Sequence, residues 1–143
     1  MKPIRIASDS PWEKRYGYAR AVRRGDFVAV SGTVACDAGG RAVGADAYAQ
    51  TSAILGQIGV ALAKAGGRLE DVVRLRVYHA GADVADGFTR ALGEAFPEGA
   101  PALTSVRVAA LVAEEFLLEI EAEAVLPGPS RRERADEHDE PVD

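Results

Sequence analysis

Polar and apolar residues alternate along three segments in the second half of the chain. Arginines alternate with aliphatic residues at 73–77, glutamates do so at 119–124, and residues 105–108 follow a similar pattern. Because successive side chains of a strand point to opposite sides, this predicts a sheet with one apolar face covered by helices. The other face is expected to carry Arg74, Arg76, Arg107, Glu119, Glu121 and Glu123, whose charges balance. Such a face suits either open solvent or a subunit interface, and the sequence leaves both open.

Two amphipathic helices are predicted to cover the apolar face. Between residues 45 and 65 the apolar positions recur at steps of three, four and seven, and Gly66-Gly67 supplies a stop. Asp83 can cap a second helix, which is expected to end before Pro97.

The remaining pattern predicts strands and turns. Residues 18–22 and 27–34 are expected to form a hairpin, and residues 37–40 a second turn. Further strands are predicted at 72–78, 102–111 and 116–126. Together these elements predict an α+β fold, in which two helices pack on one face of a mixed sheet. Residues 1–126 are predicted to form the folded domain, and residues 127–143, which begin Pro-Gly-Pro, a disordered charged tail.

Length and charge narrow the functional classes. The 143 residues suit one domain, and 17 Lys and Arg against 22 Asp and Glu give a formal net charge of −5. An acidic chain without clustered basic side chains argues against a nucleic-acid surface. No segment approaches the ~18 uninterrupted apolar residues that a membrane span needs. The single cysteine, Cys36, cannot form an intrachain disulfide, so we expect a cytoplasmic protein.

Several single residues carry reactive groups, but none of them names a reaction by itself. Ser31 lacks the first glycine of a Gly-x-Ser-x-Gly nucleophile elbow. His79 and His138 are too few to form a metal site, so no metal is expected. Cys36 is predicted to be a buried or half-buried thiol without a paired base. Trp12 is expected to anchor the N-terminal segment by burial rather than to stack on a ligand.

A series of segments occurs together in an order and spacing shared with a known family. They are Tyr18-Ala19-Arg20-Ala21-Val22, the run from Arg24 to Thr33, Gln50, the run from Leu69 to Arg74, Pro101-Ala102 and the run from Leu118 to Ala122. Over residues 12–126 the chain resembles the Rid family, also known as YjgF, reactive-intermediate deaminases or endoribonuclease L-PSP. The resemblance implies a chorismate-mutase-like subunit that assembles as a homotrimer, with a small-molecule site in each cleft between subunits.

Active members of that family hydrolyse imines or enamines released by pyridoxal-phosphate enzymes, and use no metal or cofactor. The resemblance places the pocket tyrosine at Tyr18, the Ser-Gly turn at Ser31 and Gly32, and the glutamate that positions water at Glu119. Where the family has an arginine that binds the substrate carboxylate, this chain has Leu103. Because leucine offers neither a charge nor a donor, the substitution argues against amino-acid-derived imines as substrates.

Two other arginines are candidates to compensate for Leu103. Arg107 follows it on the same side of a strand, but about 13 Å further along. Arg20 follows closely after Tyr18, where related subgroups also have arginine. For both arginines the alternative role is an ion pair with a glutamate at a subunit interface.

Three functions therefore stay open on the sequence alone. The first is imine or enamine hydrolysis with Glu119 as general base. The second is a non-catalytic, metabolite-binding or regulatory trimer, which the loss of the arginine at Leu103 favours. The third, RNA cleavage or inhibition of translation, follows from names that some relatives carry, and the acidic composition argues against it.

Overall fold

The computed structural model describes residues 2–81 and 83–128, within which six strands and three α-helices form. The strands are β1 (Ile4–Ile6), β2 (Ala21–Arg24), β3 (Phe27–Val34), β4 (Val72–His79), β5 (Ala102–Arg107) and β6 (Leu118–Val125). The helices are α1 (Pro11–Tyr16), α2 (Ala47–Lys64) and α3 (Ala85–Ala95), and a short 3-10 helix (Leu69–Asp71) precedes β4. Residues 129–143, with His138 and most of the predicted tail, lie outside the described residues.

The six described strands form one mixed sheet in the order β1-β2-β3-β6-β4-β5. Neighbouring strands are antiparallel except β4 and β5, which are parallel and are connected through α3. Helix α2 packs on β3 and β6, and α3 packs on α2. This arrangement confirms the predicted α+β class with helices on one face of a mixed sheet. None of the described helices is long and apolar enough to cross a membrane.

The covered face of the sheet and α2 share one hydrophobic core. Alternate residues of β3, β4 and β6 point toward α2, as the sequence pattern predicted. The central residues, each at most 3% exposed, are Val28, Val30, Leu75, Val77, Leu118, Ile120, Ala122, Ile54, Leu55, Ile58 and Leu62.

The ends of several elements differ from the prediction. The first hairpin strand covers Ala21–Arg24 and not residues 18–22, because a two-residue turn joins it to β3, with Gly25 at φ 63°. In addition, β5 ends at Arg107 and β6 begins at Leu118, so the connection between them is longer than predicted. Strand β1 and helix α1 were not predicted from the sequence.

Arg107 does not lie on the charged face with Arg74 and Arg76. The parallel register pairs Leu75 with Leu103 and His79 with Arg107, so Leu103 and Arg107 share the side of the buried Leu75. All six residues of β5 are exposed, so its own pattern does not show which side faces the core. On the open face, the Arg76 Nη1 atom lies 2.6 Å from Glu123 Oε1, and the Tyr78 hydroxyl donates to Glu121.

The buried Gln50 side chain ties α2 to the start of β6. Its Nε2 donates to the Glu115 and Gly44 carbonyls at 2.9 and 3.2 Å, and its Oε1 accepts from the Leu117 amide at 2.9 Å. Gln50→Leu leaves these partly buried backbone groups without their side-chain partner, so we expect a loss of about 1–3 kcal/mol in the free energy of unfolding, measured by urea denaturation.

Gln57→Leu is the matched control for this prediction. The Gln57 amide makes a single hydrogen bond, of 3.5 Å, to the Cys36 carbonyl. We expect this variant to lose less than about 1 kcal/mol. Equal losses in the two variants would contradict the role given to Gln50.

Candidate functional site

A bulge in β3 shapes the Ser-Gly turn that the sequence singled out. The register with β6 shifts between Val30 and Thr33, so the intervening residues Ser31 and Gly32 interrupt the regular ladder. Val30 and Thr33 are each 3% exposed, although they are three positions apart in the chain. A bulge of this kind re-aims side chains and backbone, and bulges are frequent beside active sites.

The Glu119 side chain lies over Gly32. Glu119 is in β6, opposite Val34, and points to the open face of the sheet. A Cβ atom at residue 32 would overlap Oε1 of Glu119, so glycine is the residue that leaves room for the carboxylate. Burial raises the pKa of the Glu119 carboxyl; the Arg20 guanidinium opposes this effect and Glu121 adds to it. A raised pKa makes the carboxylate a stronger base, which suits it to accepting a proton from water.

A pocket of about 330 Å³ opens over this carboxylate. Four predicted site residues, Tyr18, Ser31, Gly32 and Glu119, line it together. Its other lining residues are Trp12, Tyr16, Val34 and Val112. The Ser31 hydroxyl donates to the Ala19 carbonyl at 2.7 Å, which fixes its direction at the pocket edge. The volume lies within the range of small-ligand sites.

A larger cavity, of about 590 Å³, lies between α2 and residues 7–10. Of the predicted site residues it contacts Arg20 alone, and the half-buried Cys36 lies in its wall. We place the candidate site at the smaller pocket, because a partly buried carboxylate and the Ser-Gly turn converge there.

Helix α1 supplies two pocket residues that were not predicted as site residues. Trp12 and Tyr16, one turn apart, stack with ring centroids 6.3 Å apart. Ser10 caps the helix, its Oγ accepting from the Trp12 amide, and Pro11 is the first helical residue. A serine followed by a proline is typical of a helix start, so the sequence could have predicted α1. Trp12 was expected to anchor the N-terminal segment by burial; it is half-buried and also lines the pocket.

Arg20 lies behind the pocket, on the covered side of the bulge. Its Nε is 3.4 Å from Oε2 of Glu13, and both side chains are buried. Its Nη1 donates to the Gly32 carbonyl at 2.8 Å and to Thr33 Oγ1 at 2.9 Å, and its Nη2 donates to the Tyr18 hydroxyl at 3.1 Å. The guanidinium therefore supports the bulge and Tyr18 and does not line the pocket.

Leu103 and Arg107 do not line the Glu119 pocket within one chain. Both belong to the edge strand β5, on the side of the sheet opposite to Glu119. Within residues 2–81 and 83–128, no group of three or more His, Cys, Asp or Glu residues is arranged to hold a metal ion.

Gly32→Ala is expected to displace the Glu119 side chain. The added methyl group occupies the position of the carboxylate oxygen, so the variant should lose about 1–3 kcal/mol in the free energy of unfolding. Thermal and urea denaturation measure this loss.

Two comparisons isolate the cause of that loss. Gly93→Ala, in α3, meets no atom within 4 Å and should be neutral or stabilising. Glu119→Ala removes the carboxylate that the new methyl group would meet. Gly32→Ala should therefore cost less stability when it is added to Glu119→Ala than when it is added to the wild type. An unchanged loss would show that the collision is not its cause.

Comparison with known proteins, by sequence and by structure, points to one family. Residues 10–126 match the family described as Endoribonuclease L-PSP. An uncharacterised protein of Streptomyces coelicolor is 37% identical over 120 residues, which cover 84% of this chain and 90% of that protein. A RutC family protein of Pyrococcus abyssi is 32% identical over 106 residues, 73% of this chain and 83% of that protein. The crystal structure of a YjgF/YER057c/UK114 family member from Mycobacterium tuberculosis has a TM-score of 0.78 and 37% identity, over 87% of this chain and 100% of that chain.

Proposed function

Since the chain belongs to the endoribonuclease L-PSP family, which includes the YjgF and Rid proteins, we propose that it hydrolyses small imines or enamines in the Glu119 pocket. The observation that carries this proposal is the partly buried Glu119 carboxylate, which lies over Gly32 in a pocket that also contains Tyr18 and Ser31. The raised pKa of Glu119 supports a role in proton transfer.

The proposed reaction needs one water molecule and one group that exchanges protons. The water oxygen attacks the C=N carbon while Glu119 takes a proton from the water, and the π electrons move to nitrogen. Glu119 returns that proton to nitrogen, which gives the neutral carbinolamine. Glu119 then takes the hydroxyl proton and passes it to nitrogen as the C–N bond breaks, so ammonia leaves while the C=O bond forms. The sum is imine plus water to carbonyl compound plus ammonia, with Glu119 restored.

We propose that three copies of the chain assemble and that the pocket is completed in the cleft between two of them. The open sheet face supports this, because it exposes the paired Phe27 and Val125 beside its charged residues. Exposed apolar clusters rimmed by polar residues mark interaction surfaces. Light scattering during gel filtration should give three times the 15.0 kDa mass of the chain.

Leu103→Arg tests whether β5 of a second copy reaches the pocket. Within one chain Leu103 lies on the side of the sheet opposite to Glu119, so a new arginine there acts on the pocket only across subunits. We expect hydrolysis of carboxylate-bearing imines to rise about tenfold or more, since a bidentate carboxylate pair forms. Arg107→Gln, four residues further along the strand, is the control and should change this rate little. A Leu103→Arg variant that hydrolyses these imines no faster than the wild type would contradict the intersubunit site.

The alternative that one observation favours is a trimer that binds a metabolite without converting it. That observation is Leu103, which removes the family's carboxylate-binding arginine. A ligand that raises the melting temperature and is recovered unchanged would support this alternative. RNA cleavage is not proposed, because no Lys, Arg or His is among the residues that line the described pocket.

Imine hydrolysis by the purified protein tests the proposed function directly. An amine or amino-acid oxidase generates the imine, semicarbazide traps what remains, and the protein should speed the loss of the trapped product. Acceleration supports the proposal. No acceleration with any imine, charged or neutral, would overturn it in favour of the binding protein.

We also propose that the protein acts in the cytoplasm. Its single cysteine, Cys36, has no partner for an intrachain disulfide and suits a reducing compartment. Fractionation of the source cells, with immunodetection of the protein, tests this placement.

A further inference from the structure

We propose that the Glu119 pocket selects cationic, protonated imines that have an apolar or aromatic body and carry no carboxylate. Such imines arise when simple amines, rather than amino acids, are oxidised. The proposal rests on the proposed function for its chemistry. Its charge preference rests on the lining that one chain contributes to the pocket and is testable without turnover.

The charges around the pocket favour a cation. Glu119 is the one carboxylate among the lining residues, and no Lys, Arg or His lines the described pocket. A substrate carboxylate placed there meets a like charge in a partly buried site, where repulsion is stronger than in water. A protonated imine instead pairs with Glu119, and it is also the form that water attacks most readily.

Two arginines that contact lining residues, Arg20 and Arg15, do not reverse this preference. Arg20 donates to Gly32, Thr33 and Tyr18 from the covered side, and its charge is balanced by the buried Glu13. Arg15 is exposed, and its Cζ lies 5.5 Å and 6.0 Å from the ring centroids of Tyr16 and Trp12. It therefore stacks on these rings at the surface, where solvent screens its charge.

The rest of the lining suits an apolar body next to the cation. Trp12, Tyr16 and Tyr18 form an aromatic wall, and Val34 and Val112 add aliphatic surface. Aromatic faces carry negative charge density and attract a cation that approaches within about 6 Å. A positively charged head beside Glu119 and an apolar body against this wall fill the pocket with complementary groups.

The test uses three probes that share a phenyl body and differ in charge. They are 2-phenylethylammonium, 2-phenylethanol and 3-phenylpropionate. Trp12, the single tryptophan of the chain, lines the pocket, so its fluorescence reports occupancy directly. We expect the cation to bind at least about tenfold more tightly than the anion. Glu119→Gln should bring the cation and the alcohol to similar affinities.

Variants at three further positions separate the contributions. Tyr16→Leu should weaken the cation about two- to fivefold, whereas Tyr48→Leu, a tyrosine outside the pocket, should not. Arg15→Gln should leave the order of affinities unchanged. An anion that binds as tightly as the cation, or no binding by any probe, overturns the proposal. An anion preference that disappears in Arg15→Gln overturns it as well and identifies Arg15 as a carboxylate clamp.

Turnover distinguishes this proposal from the proposed function. Imines from 2-phenylethylamine and from phenylalanine share the same body, and the second carries a carboxylate. Faster hydrolysis of the first supports both proposals, while faster hydrolysis of the second supports the function and overturns the charge selection. If neither imine is hydrolysed but the cation still binds most tightly, the result supports the charge preference of the pocket and contradicts the proposed hydrolase function.

Discussion

Glu119→Gln is expected to lower kcat for imine hydrolysis by about 100- to 10,000-fold, which is the usual contribution of a positioned general base. The amide has nearly the shape of the carboxylate and still fits over Gly32, but it cannot accept the proton of the attacking water. The melting temperature should therefore change little, or rise, because an ionised group leaves a partly buried position.

Glu121→Gln is the matched control for Glu119→Gln. Glu121 lies two residues along β6 on the same face, accepts from the Tyr78 hydroxyl and does not line the pocket. Its replacement should leave kcat near the wild-type value. Equal losses in both variants would mean that the charge of the face, and not the position of Glu119, drives the reaction.

The pH dependence of kcat/KM gives a second test of Glu119 as the general base. A general base works only when deprotonated, so activity should fall as the pH drops through the pKa of Glu119. Burial raises that pKa, so the acid limb should lie at a higher pH than an ordinary glutamate would give. The limb should be absent from the residual activity of Glu119→Gln. A limb that stays in place would assign the titration to another group.

The sequence pattern predicted the parts of the fold that depend on burial along one element. The alternation in β4 and β6 identified the covered face because Leu75, Val77, Leu118 and Ile120 are all buried there. It failed for Arg107, since an exposed edge strand takes its orientation from the register with β4 and not from its own residues.

The candidate site was predicted only in part, for a related reason. The resemblance identified Tyr18, Ser31, Gly32 and Glu119, and the structure brings these four residues to one pocket. The position of Arg20 depends on contacts with residues that are 7 to 13 positions away in the chain, through an ion pair and a bulge. A single sequence shows neither of these features. An arginine that looked like a candidate substrate clamp is thus part of the support beneath the pocket.

Arg20→Met is expected to lower the free energy of unfolding by about 3–5 kcal/mol, because it leaves the buried Glu13 carboxylate without its counter-charge. Glu13 is 7% exposed, and the hydrogen bonds that remain to it come from the backbone amide and hydroxyl of Ser8. The carbonyl of Gly32 and the Tyr18 hydroxyl also lose their donors, so the bulge loses the contacts that hold it from the covered side.

Three further variants show whether the lost ion pair causes the effect of Arg20→Met. Arg20→Lys keeps the charge but not the forked geometry, so it should recover part of the stability. Adding Glu13→Gln to Arg20→Met removes the unpaired charge, so the double variant should be more stable than Arg20→Met alone. Arg68→Met breaks a pair with Glu70 whose side chains are 73% and 63% exposed, and it should change stability by about 0.5 kcal/mol or less.

Arg20→Met also tests whether the Arg20 charge lowers the pKa of Glu119. The Arg20 charge acts through the bulge to lower the pKa of Glu119, against the effect of burial. Removing it should raise the pKa of Glu119 further and move the acid limb of kcat/KM to higher pH in Arg20→Met, while Arg20→Lys keeps the limb near its original position. A limb that does not move in Arg20→Met, in protein shown to be folded at the assay temperature, would confine Arg20 to a structural role.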